Sequence, residues 1–263
     1  MDDPYVARAL AAAVAVGRRL GLPVDDPEVL AWKSNVLVRL GPAVARVPAT
    51  TLLARDPVAD WMARDVALST FLAEREAPVI PPFENPGPHF AQGLPVTLWR
   101  FTRPGTASVP SGVGVLLAEL HAVLAEFPGE YGECGPAVDL ARWLEYVEDS
   151  RVRDEVARVL AELPDLPVQP LHGDAHTGNL MGTADGPKWL DFEDSWRGPL
   201  AWDVACLANS SDGAAADYPG EVEGLPEYRR LRRLYGVCWR FVIARRFPER
   251  RGEALAAAAE YFA

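Results

Sequence analysis

Two stretches in the first hundred residues show apolar and polar residues alternating on both sides of a turn. The first is NVLVRLGPAVARVP at 35–48, in which Gly41-Pro42 separates two β-rich runs. The second is HFAQGLPVTLWRF at 89–101, with Gly93-Leu94-Pro95 as its turn. Runs of β-branched and aromatic residues interrupted by Gly and Pro predict β-hairpins. The first part of the chain is therefore predicted to contain an antiparallel sheet.

In the other segments, apolar residues recur at helical spacing, which predicts α-helices. This spacing predicts helices at 4–20 and 57–76 and, after a loop rich in Pro, Gly and Ser at 102–112, a mainly helical remainder. The helices predicted in that remainder lie at 113–127, 138–150, 151–163, 198–210, 227–247 and 253–262. The pattern predicts an α+β fold with a small antiparallel-sheet lobe at 1–101 and a larger helical lobe at 102–263. A ligand would bind in the cleft between two such lobes.

Composition narrows the classes of function. The chain has 263 residues, of which 49% are hydrophobic, enough for a substantial core. The formal net charge of −11 argues against nucleic acid as a partner, because phosphate backbones need a basic surface. The three scattered cysteines fit a reducing compartment, and no apolar run reaches the length of a membrane span. We therefore expect a cytoplasmic protein without a membrane partner, and its oligomeric state is open.

The stretch PLHGDAHTGNLM concentrates chemically active side chains, with His172, Asp174 and His176 close together. Three interpretations are open. His and Asp bind zinc or iron well, so the stretch could belong to a metal-dependent hydrolase. It could instead be a phosphoryl-transfer loop, or a polar turn without chemistry. A hydrolase needs further ligands, and the remaining histidines are His89 in a Pro-rich loop and His121 within an apolar helix.

A phosphoryl-transfer loop makes more specific demands, and the sequence meets them. Such a loop needs a carboxylate for the proton of the attacking hydroxyl and then, in the spacing D-x-x-x-x-N, an amide oxygen for Mg²⁺. Asp174 and Asn179 have this spacing. A second carboxylate is expected after a nearby strand, where Asp191 follows Trp189-Leu190. A short hairpin turning at Asp185-Gly186 would bring both metal ligands to one end of the lobe.

Together these segments resemble the aminoglycoside phosphotransferases and related small-molecule kinases, which share the protein-kinase fold. LHGDAHTGNLM, WLDFEDSWRGPLAWDVACL and GVLLAELHAVL carry the resemblance, which covers about residues 30–210. It implies a bilobal fold with an N-terminal nucleotide-binding lobe and a C-terminal catalytic and acceptor-binding lobe. It also implies transfer of the γ-phosphate of ATP, or of GTP, to a hydroxyl of an aminoglycoside-like or other hydroxylated small molecule. Antibiotic resistance is an implication of the family name alone.

The resemblance implies roles for individual residues around that loop. Asp174 stands at the position of the catalytic base, and His172 would orient the loop by hydrogen bonding. Asn179 and Asp191 would hold Mg²⁺, the expected metal cofactor. Asp203 stands where the family keeps an aspartate that braces the catalytic loop, which is a structural role.

The phosphate-binding pair departs from the protein-kinase pattern. The strand residue expected to be a lysine is Arg46, and its helix partner, normally a glutamate, would be Asp65. A longer cation facing a shorter anion keeps the reach of the pair, although a planar guanidinium is no simple substitute for an ammonium group. The alternative is that Arg46 is a surface residue on an edge strand.

The nucleotide loop departs from the pattern as well, because AWKSNVLV occupies the place of a Gly-rich loop. Ser34 and Asn35 could donate hydrogen bonds to phosphate oxygens there, or could belong to an ordinary polar turn. Trp99 and Phe101 lie where the backbone of the interlobe hinge would bind the purine edge. Their side chains do not distinguish ATP from GTP.

The acceptor and two rival functions are open. Carboxylates that could meet the ammonium groups of an amino sugar, or be solvated charges, are Glu193, Asp194, Glu145, Glu148 and Asp149. A catalytically silent nucleotide-binding scaffold is favoured by Arg46 and by the missing Gly-rich loop. A His/Asp metal-dependent hydrolase is the other rival. The intact set of Asp174, Asn179 and Asp191 favours the kinase.

Overall fold

The computed structural model describes residues 3–105 and 112–263, so most of the loop at 102–112 lies outside the described residues. The chain divides into two compact units. The first contains Met1–Thr106 and Thr183–Glu193, and the second contains Ala107–Gly182 and Asp194–Ala263. The boundary predicted at residue 101 assigned residues 183–193 to the second lobe, whereas this segment belongs to the first unit.

Backbone pairing explains why that segment belongs to the first unit. β8 (Gly186–Trp189) ends at Trp189, which forms a parallel bridge with Val79 and accepts a hydrogen bond from the N–H of Ile80 at 2.9 Å. The indole of Trp189 is fully buried. β7 (Leu180–Thr183) and β8 form a two-stranded sheet, so the predicted short hairpin exists. Its turn lies at Ala184-Asp185 and not at the predicted Asp185-Gly186, because Gly186 already begins β8.

The first unit is built on a five-stranded antiparallel sheet. Its strands are β1 (Glu28–Ala31), β2 (Asn35–Leu40), β3 (Ala43–Pro48), β4 (His89–Ala91) and β5 (Leu94–Arg100), in the order β1-β2-β3-β5-β4. The predicted hairpin around Gly41-Pro42 is confirmed. The predicted turn of the second hairpin is wrong, because the turn lies at Gln92-Gly93 and Leu94 already begins β5. Gln92 and Gly93 have φ angles of 52° and 68°, the left-handed pair that two-residue hairpin turns prefer.

α1 (Pro4–Arg19) covers one face of this sheet. Asp3 caps the helix, since its carboxylate accepts a hydrogen bond from the N–H of Tyr5 at 2.8 Å. Gly17 permits the close approach, because a Cβ there would lie 2.7 Å from Cδ1 of Leu40. The core between helix and sheet includes Ala9, Ala12, Ala13, Val16, Val36, Val38, Ala45, Val47 and Leu98.

The opposite face of the sheet carries the polar residue of interest. Successive strand residues point to opposite faces, so Arg46, between the core residues Ala45 and Val47, faces away from α1. α2 (Thr51–Ala54) and α3 (Val58–Glu74) follow β3, and α3 packs against β5.

The second unit is mainly helical. Its helices are α4 (Val113–Leu124), α5 (Pro136–Trp143), α6 (Ser150–Ala161), α7 (Leu200–Ala208), α8 (Leu225–Arg246) and α9 (Arg251–Tyr261). α8 packs against α5, α6, α7 and α9. Its Tyr235 ring lies 4.5 Å from Trp143 and 5.4 Å from Trp202 between ring centres, so large aromatic rings fill this core.

Short elements complete the chain. β6 (Gln169–Pro170) and β9 (Arg197–Gly198) pair antiparallel in the second unit. Single 3₁₀ turns occupy Thr177–Asn179, Phe192–Asp194 and Pro248–Arg250. The antiparallel sheet and the helical unit confirm the predicted α+β class. Within residues 3–105 and 112–263, no helix has both the length and the apolar character needed to cross a membrane.

Candidate functional site

Arg46 is buried at the centre of the sheet, so the edge-strand alternative is wrong. β3 lies between β2 and β5, where Arg46 pairs in register with Leu37 and Thr97. Nη1 of Arg46 donates to Oδ2 of Asp65, on α3, at 2.7 Å. The expected pair of a strand cation and a helix anion therefore exists in the first unit, and its role toward a nucleotide stays a prediction.

Two further carboxylates surround the same guanidinium. Nη2 of Arg46 donates to Oδ1 of Asp191 at 2.5 Å and lies 2.8 Å from Oε2 of Glu193. Oε1 of Glu193 lies 3.1 Å from Nη1 of Arg55. We call this group the Arg46 cluster, and its members are Arg46, Arg55, Asp65, Asp191 and Glu193.

The Arg46 cluster holds three carboxylates against two guanidinium groups, so it carries excess negative charge. Burial raises the pKa of Asp65 to about 7, with Asp191 and Glu193 adding to the rise and Arg46 opposing it. Burial lowers the pKa of Arg46, but attraction by the three carboxylates outweighs burial and raises it above its ordinary value. Arg46 therefore stays charged, and the buried carboxylates depend on it for neutralisation.

Asp191 is the member of the cluster that an external cation can reach. Its side chain is 30% exposed, against 2% for Asp65 and 5% for Glu193. Its backbone has a φ of 72°, a conformation that aspartate tolerates better than most residues. The following N–H, of Phe192, donates to Oδ1 of Asp65 at 3.1 Å and holds this turn against α3.

The other predicted nucleotide residues lie elsewhere in the first unit. The carbonyl of Ser34 accepts hydrogen bonds from the N–H groups of Ala49 and Thr51, so Ser34 belongs to a closed polar turn. Nε1 of Trp99 donates to Oγ1 of Thr97 at 3.1 Å, and the Phe101 ring lies under a guanidinium. In the described part of the chain, no hydrogen bond or ion pair joins Ser34, Trp99 or Phe101 directly to the Arg46 cluster. Asn35 does join it, because its Nδ2 donates to Oε1 of Glu193 at 3.2 Å.

In the second unit, Asp203 anchors the PLHGDAHTGNLM stretch, here called the Asp174 loop. Asp203, on α7, is fully buried and accepts the N–H of His172 at 2.7 Å and that of Gly173 at 2.9 Å. It also lies 3.0 Å from Nε2 of His121. Gly173 has a φ of 87°, and a Cβ there would lie 1.9 Å from the carbonyl oxygen of Asp194, so only glycine fits. These contacts match the bracing role that the resemblance implied.

Replacing Asp203 with alanine is expected to lower the free energy of unfolding by about 3 kcal/mol or more. The change leaves two buried backbone N–H groups and the His121 ring without their acceptor, and each stranded donor costs about 1–3 kcal/mol. Urea denaturation of the variant measures this loss. The control is Asp212→Ala at an exposed position, for which a change within about 0.5 kcal/mol is expected. Equal losses in the two variants would contradict the anchoring role.

Three side chains fix the carboxylate of Asp174. Oδ1 accepts a hydrogen bond from Nη2 of Arg232, on α8, at 2.5 Å. Oδ2 accepts from Nδ2 of Asn179 at 3.3 Å and lies 3.3 Å from Nε2 of His176. Nδ1 of His176 accepts the N–H of Gly178 at 2.9 Å, so Nε2 carries the proton and donates to Asp174.

His172 is buried within the Asp174 loop. Its side chain is fully buried, and its Nδ1 accepts the backbone N–H of Asp174 at 3.3 Å. Its carbonyl accepts a hydrogen bond from the hydroxyl of Ser195 at 3.1 Å. The contacts of His172 are those of a residue that orients the Asp174 loop.

The charge on Asp174 is stabilised by folding. Burial raises its pKa, but attraction by Arg232, together with His176 and His172, more than reverses this and holds the pKa well below its usual range. A depressed carboxyl pKa contributes stability above the unfolded value of about 4, and that contribution is lost as the pH falls toward the folded value.

Replacing Arg232 with glutamine is expected to remove this pH-dependent contribution. The difference in unfolding free energy between wild type and variant should be largest near neutral pH and should shrink as the pH falls through about 4. Denaturant titrations of both proteins across this range measure the difference. Arg229→Gln, at an exposed position on the same helix, should show a small and constant difference. A wild-type-to-Arg232→Gln gap that stays constant or widens on acidification would contradict the assignment.

Asn179 and Asp191 each offer an oxygen donor atom. Nδ2 of Asn179 donates to the carbonyl and to Oδ2 of Asp174, which leaves its amide oxygen as the atom that can bind a cation. That oxygen and the carboxylate of Asp191 are hard donors of the kind Mg²⁺ prefers. His121 bonds to Asp203 and to the Tyr218 hydroxyl instead. Among the described residues, no three His, Cys, Asp or Glu side chains are grouped to hold a metal ion.

The sequence reasoning missed Arg232 and Arg55. Arg232 is one of seven arginines on α8, and their spacing does not distinguish the one that meets Asp174. Arg55 follows the short helix α2, where no motif marks it. Glu193 was weighed as an acceptor-binding or solvated carboxylate, but it is a buried member of the Arg46 cluster.

The chain is similar to phosphotransferases in sequence and to small-molecule kinases in fold. A family model described as the phosphotransferase enzyme family matches residues 32–234. The chain is also similar to methylthioribose kinase 1 of Oryza sativa subsp. japonica, with 35% identity over 75 residues. That match covers 26% of this chain and 17% of the rice protein, so the chain spans under a fifth of that relative.

Solved structures of small-molecule kinases share the fold. The amicoumacin kinase hAmiN, in complex with AMP-PNP and Ca²⁺, superposes with a TM-score of 0.70 at 13% identity over 92% of this chain and 89% of that one. Choline kinase LicA from Streptococcus pneumoniae gives 0.64 at 15% identity, over 94% and 98%. A GDP complex of an aminoglycoside 2'-phosphotransferase gives 0.64 at 18% identity, over 94% and 96%. The kinase-like fold implied by the resemblance is confirmed.

Proposed function

Because the chain belongs to the phosphotransferase enzyme family, we propose that it transfers the γ-phosphoryl group of ATP, or of GTP, to a hydroxyl of a small molecule. The observation that supports this most is the arrangement around Asp174. Its carboxylate is 22% exposed and is held by Asn179, in the spacing that a phosphoryl-transfer loop requires. The buried contacts with Asp203 fix this loop in advance, and positioning supplies most of the catalysis in phosphoryl transfer.

In the proposed reaction, Asp174 orients the acceptor hydroxyl and accepts its proton. The hydroxyl oxygen forms a bond to the γ-phosphorus, while the bond from that phosphorus to the β–γ bridging oxygen breaks. The electron pair of the broken bond leaves with the nucleoside diphosphate. Because the pKa of Asp174 is well below its usual range, the carboxylate is ionised at neutral pH and its proton transfer is expected late in the reaction.

We assign the magnesium ligands to Asn179 and Asp191. Asn179 offers its amide oxygen, and Asp191 offers the most exposed carboxylate of the Arg46 cluster. Magnesium bound to such oxygens neutralises charge on the nucleotide phosphates. Arg46 supplies a permanent positive charge in the same cluster and is the proposed phosphate-binding residue of the first unit.

A catalytically silent nucleotide-binding scaffold is the second candidate, and the crowding of Arg46 favours it. Both terminal nitrogens of Arg46 already face carboxylates, those of Asp65, Asp191 and Glu193. Arg46 would have to give up Asp191 to reach a phosphate group. The kinase is preferred because Asp174 and Asn179 keep the geometry of a transfer loop, which a scaffold does not need.

The proposed acceptor is a hydroxylated small molecule. The similar proteins are described as kinases of amicoumacin, choline and methylthioribose and as an aminoglycoside phosphotransferase. Their acceptors differ in size and charge. An aminoglycoside-like acceptor is therefore one member of a wider set of hydroxylated small molecules that this fold can serve.

Calorimetric titration with ATP, with and without Mg²⁺, tests the nucleotide half of the proposal. We expect wild type to bind ATP at least about tenfold more tightly with Mg²⁺, and Asp191→Asn to lose this dependence, since it loses a charged metal ligand. Asp185→Asn, an exposed aspartate of the same unit, is the matched control and should behave as wild type. ATP binding that is indifferent to both Mg²⁺ and Asp191 would favour the scaffold.

A further inference from the structure

Arg232 places a positive charge directly against the proposed catalytic base. Its guanidinium donates to Oδ1 of Asp174 and lies near two aromatic rings, 5.4 Å from the centre of Tyr235 and 5.8 Å from that of Trp202. The aromatic faces restrict the guanidinium and favour its charged form. Its side chain is 18% exposed and that of Asp174 is 22% exposed, so both members of this ion pair are partly accessible to solvent.

Arg232 has more hydrogen-bond donors than its contact with Asp174 uses. A guanidinium carries five N–H donors, arranged so that a carboxylate or phosphate can accept two at once. Within residues 3–105 and 112–263, Arg232 donates one hydrogen bond, from its Nη2 to the carboxylate of Asp174. The remaining donors of Arg232 are suited to an anionic group on a bound ligand.

The carboxylates that an amino sugar would need have other partners. Glu148 binds Arg251 through two of its nitrogens, at 2.8 Å and 2.5 Å, and Asp149 binds Arg151 at 2.7 Å. Glu193 is buried in the Arg46 cluster. Glu145 bonds to a neighbouring tyrosine hydroxyl. The charge nearest the proposed base is thus positive, and four of the carboxylates considered for ammonium groups are already engaged.

We propose that Arg232 binds an anionic group of the acceptor, so that the substrate is a hydroxylated carboxylate or phosphate ester and not a polycationic amino sugar. This inference rests on the proposed transfer function and specifies its acceptor. Arg232 would hold the anionic group through its remaining donors while its Nη2 keeps Asp174 oriented toward the neighbouring hydroxyl. A cationic acceptor would instead meet the guanidinium with like charge.

Side-chain NMR of arginine-labelled protein tests the inference without knowledge of the natural acceptor. The Nε–H signal of Arg232 is assigned by its loss in Arg232→Lys, and the protein is saturated with Mg²⁺ and AMP-PNP so that nucleotide phosphates occupy their own positions. Four probes of similar size are then titrated, namely glycerate, glycerol 3-phosphate, glycerol and ethanolamine. They separate a carboxylate, a phosphate ester, a neutral polyol and a cation.

We expect a saturable shift of the Arg232 signal with glycerate or glycerol 3-phosphate, with affinity at least about tenfold higher than for glycerol or ethanolamine. The anion that binds more tightly shows whether the anionic group of the acceptor is a carboxylate or a phosphate ester. Arg229, exposed on α8 and bonded to Asn209, should show no saturable shift. The inference would be overturned if neither anion gave a saturable shift, or if ethanolamine bound as tightly as the anions. Arg232 would then be only a counter-ion of Asp174.

A binding measurement with the conservative variant separates recognition from folding. Arg232→Lys keeps the positive charge but loses the fork, so we expect about tenfold weaker anion binding with unchanged AMP-PNP affinity. Unchanged anion affinity in this variant would contradict the role of the fork. Failure of the proposed function is seen separately, as a protein that does not bind AMP-PNP with Mg²⁺. The anion titration without nucleotide then still decides the role of Arg232.

Discussion

Replacing Asp174 with asparagine is expected to lower the rate constant for phosphoryl transfer by about 10²–10⁴-fold, the usual contribution of a positioned general base. Asparagine keeps the shape of the side chain but cannot accept the hydroxyl proton. Nucleotide affinity should change little, since Asp174 lies on the loop and not in the Arg46 cluster. Product formation from ATP, followed with each variant under single-turnover conditions, measures the effect.

The Asp174 experiment needs a control for stability, because Arg232 loses its charged partner in the variant. Circular dichroism and ATP titration of Asp174→Asn show whether the fold and the nucleotide site persist. Asp212→Asn, at an exposed position in the same unit, should retain the wild-type rate. Transfer by Asp174→Asn within about threefold of wild type would mean that Asp174 is not the base.

Replacing Arg46 with methionine is expected to lower the free energy of unfolding by about 3–5 kcal/mol, the cost of removing one partner from a buried ionic group. The carboxylates of Asp65, Asp191 and Glu193 would lose the guanidinium that all three contact. Denaturant unfolding gives the difference. Arg100→Met, at an exposed position on β5, is the control and should change stability by less than about 0.5 kcal/mol.

Arg46 and Asp65 stand where the protein-kinase pattern has a lysine and a glutamate. A double-mutant cycle measures the coupling energy between the two positions. Arg46→Lys alone should be destabilising, because an ammonium group cannot span three carboxylates as the planar fork does. Adding Asp65→Glu extends the anion and should recover part of the loss, which a favourable coupling energy reports. An Arg46→Met variant as stable as wild type, or a cycle without coupling, would contradict this account of the cluster.

A local motif was sufficient to locate the loop, and the family resemblance located the pair of oppositely charged residues. Asp174 and Asn179 belong to a local motif, and a hydrogen bond joins their side chains across five residues of the chain. Arg46 and Asp65 stand at the positions that the resemblance assigns to a strand cation and a helix anion, and their side chains meet at 2.7 Å. Local patterns of this kind constrain local structure, because strand and helix periodicity decide which face a residue occupies.

The residues that contact Arg46 and Asp174 from distant parts of the chain could not be predicted in the same way. Glu193 meets Arg46 only because β8 pairs with the backbone near Val79, a contact between segments far apart in sequence. Arg232 is one of four arginines between residues 229 and 233 of α8, so only packing selects the one that faces Asp174. Contacts of this type depend on tertiary geometry, which composition and spacing do not encode locally.

The sign of the charge around the proposed base could not be predicted from the sequence either. The sequence contains more Asp and Glu than Lys and Arg, which suggests affinity for cations. Around the proposed base the balance is reversed, because Arg232 and His176 donate to Asp174, while Glu148 and Asp149 pair with other arginines. Net charge describes the whole surface, whereas specificity depends on the few groups near the reacting atoms.

Analysis of the products formed from ATP tests the central claim most directly. Wild-type protein is incubated with Mg²⁺–ATP and pools of hydroxylated small molecules sorted into anionic, neutral and cationic classes, and phosphorus NMR follows the γ-phosphoryl group. The account predicts one nucleoside diphosphate and one new phosphate ester for each ATP consumed, in at least one pool and absent with Asp174→Asn. ATP that binds with Mg²⁺ but yields neither product in any pool would contradict a phosphotransferase and support the silent scaffold.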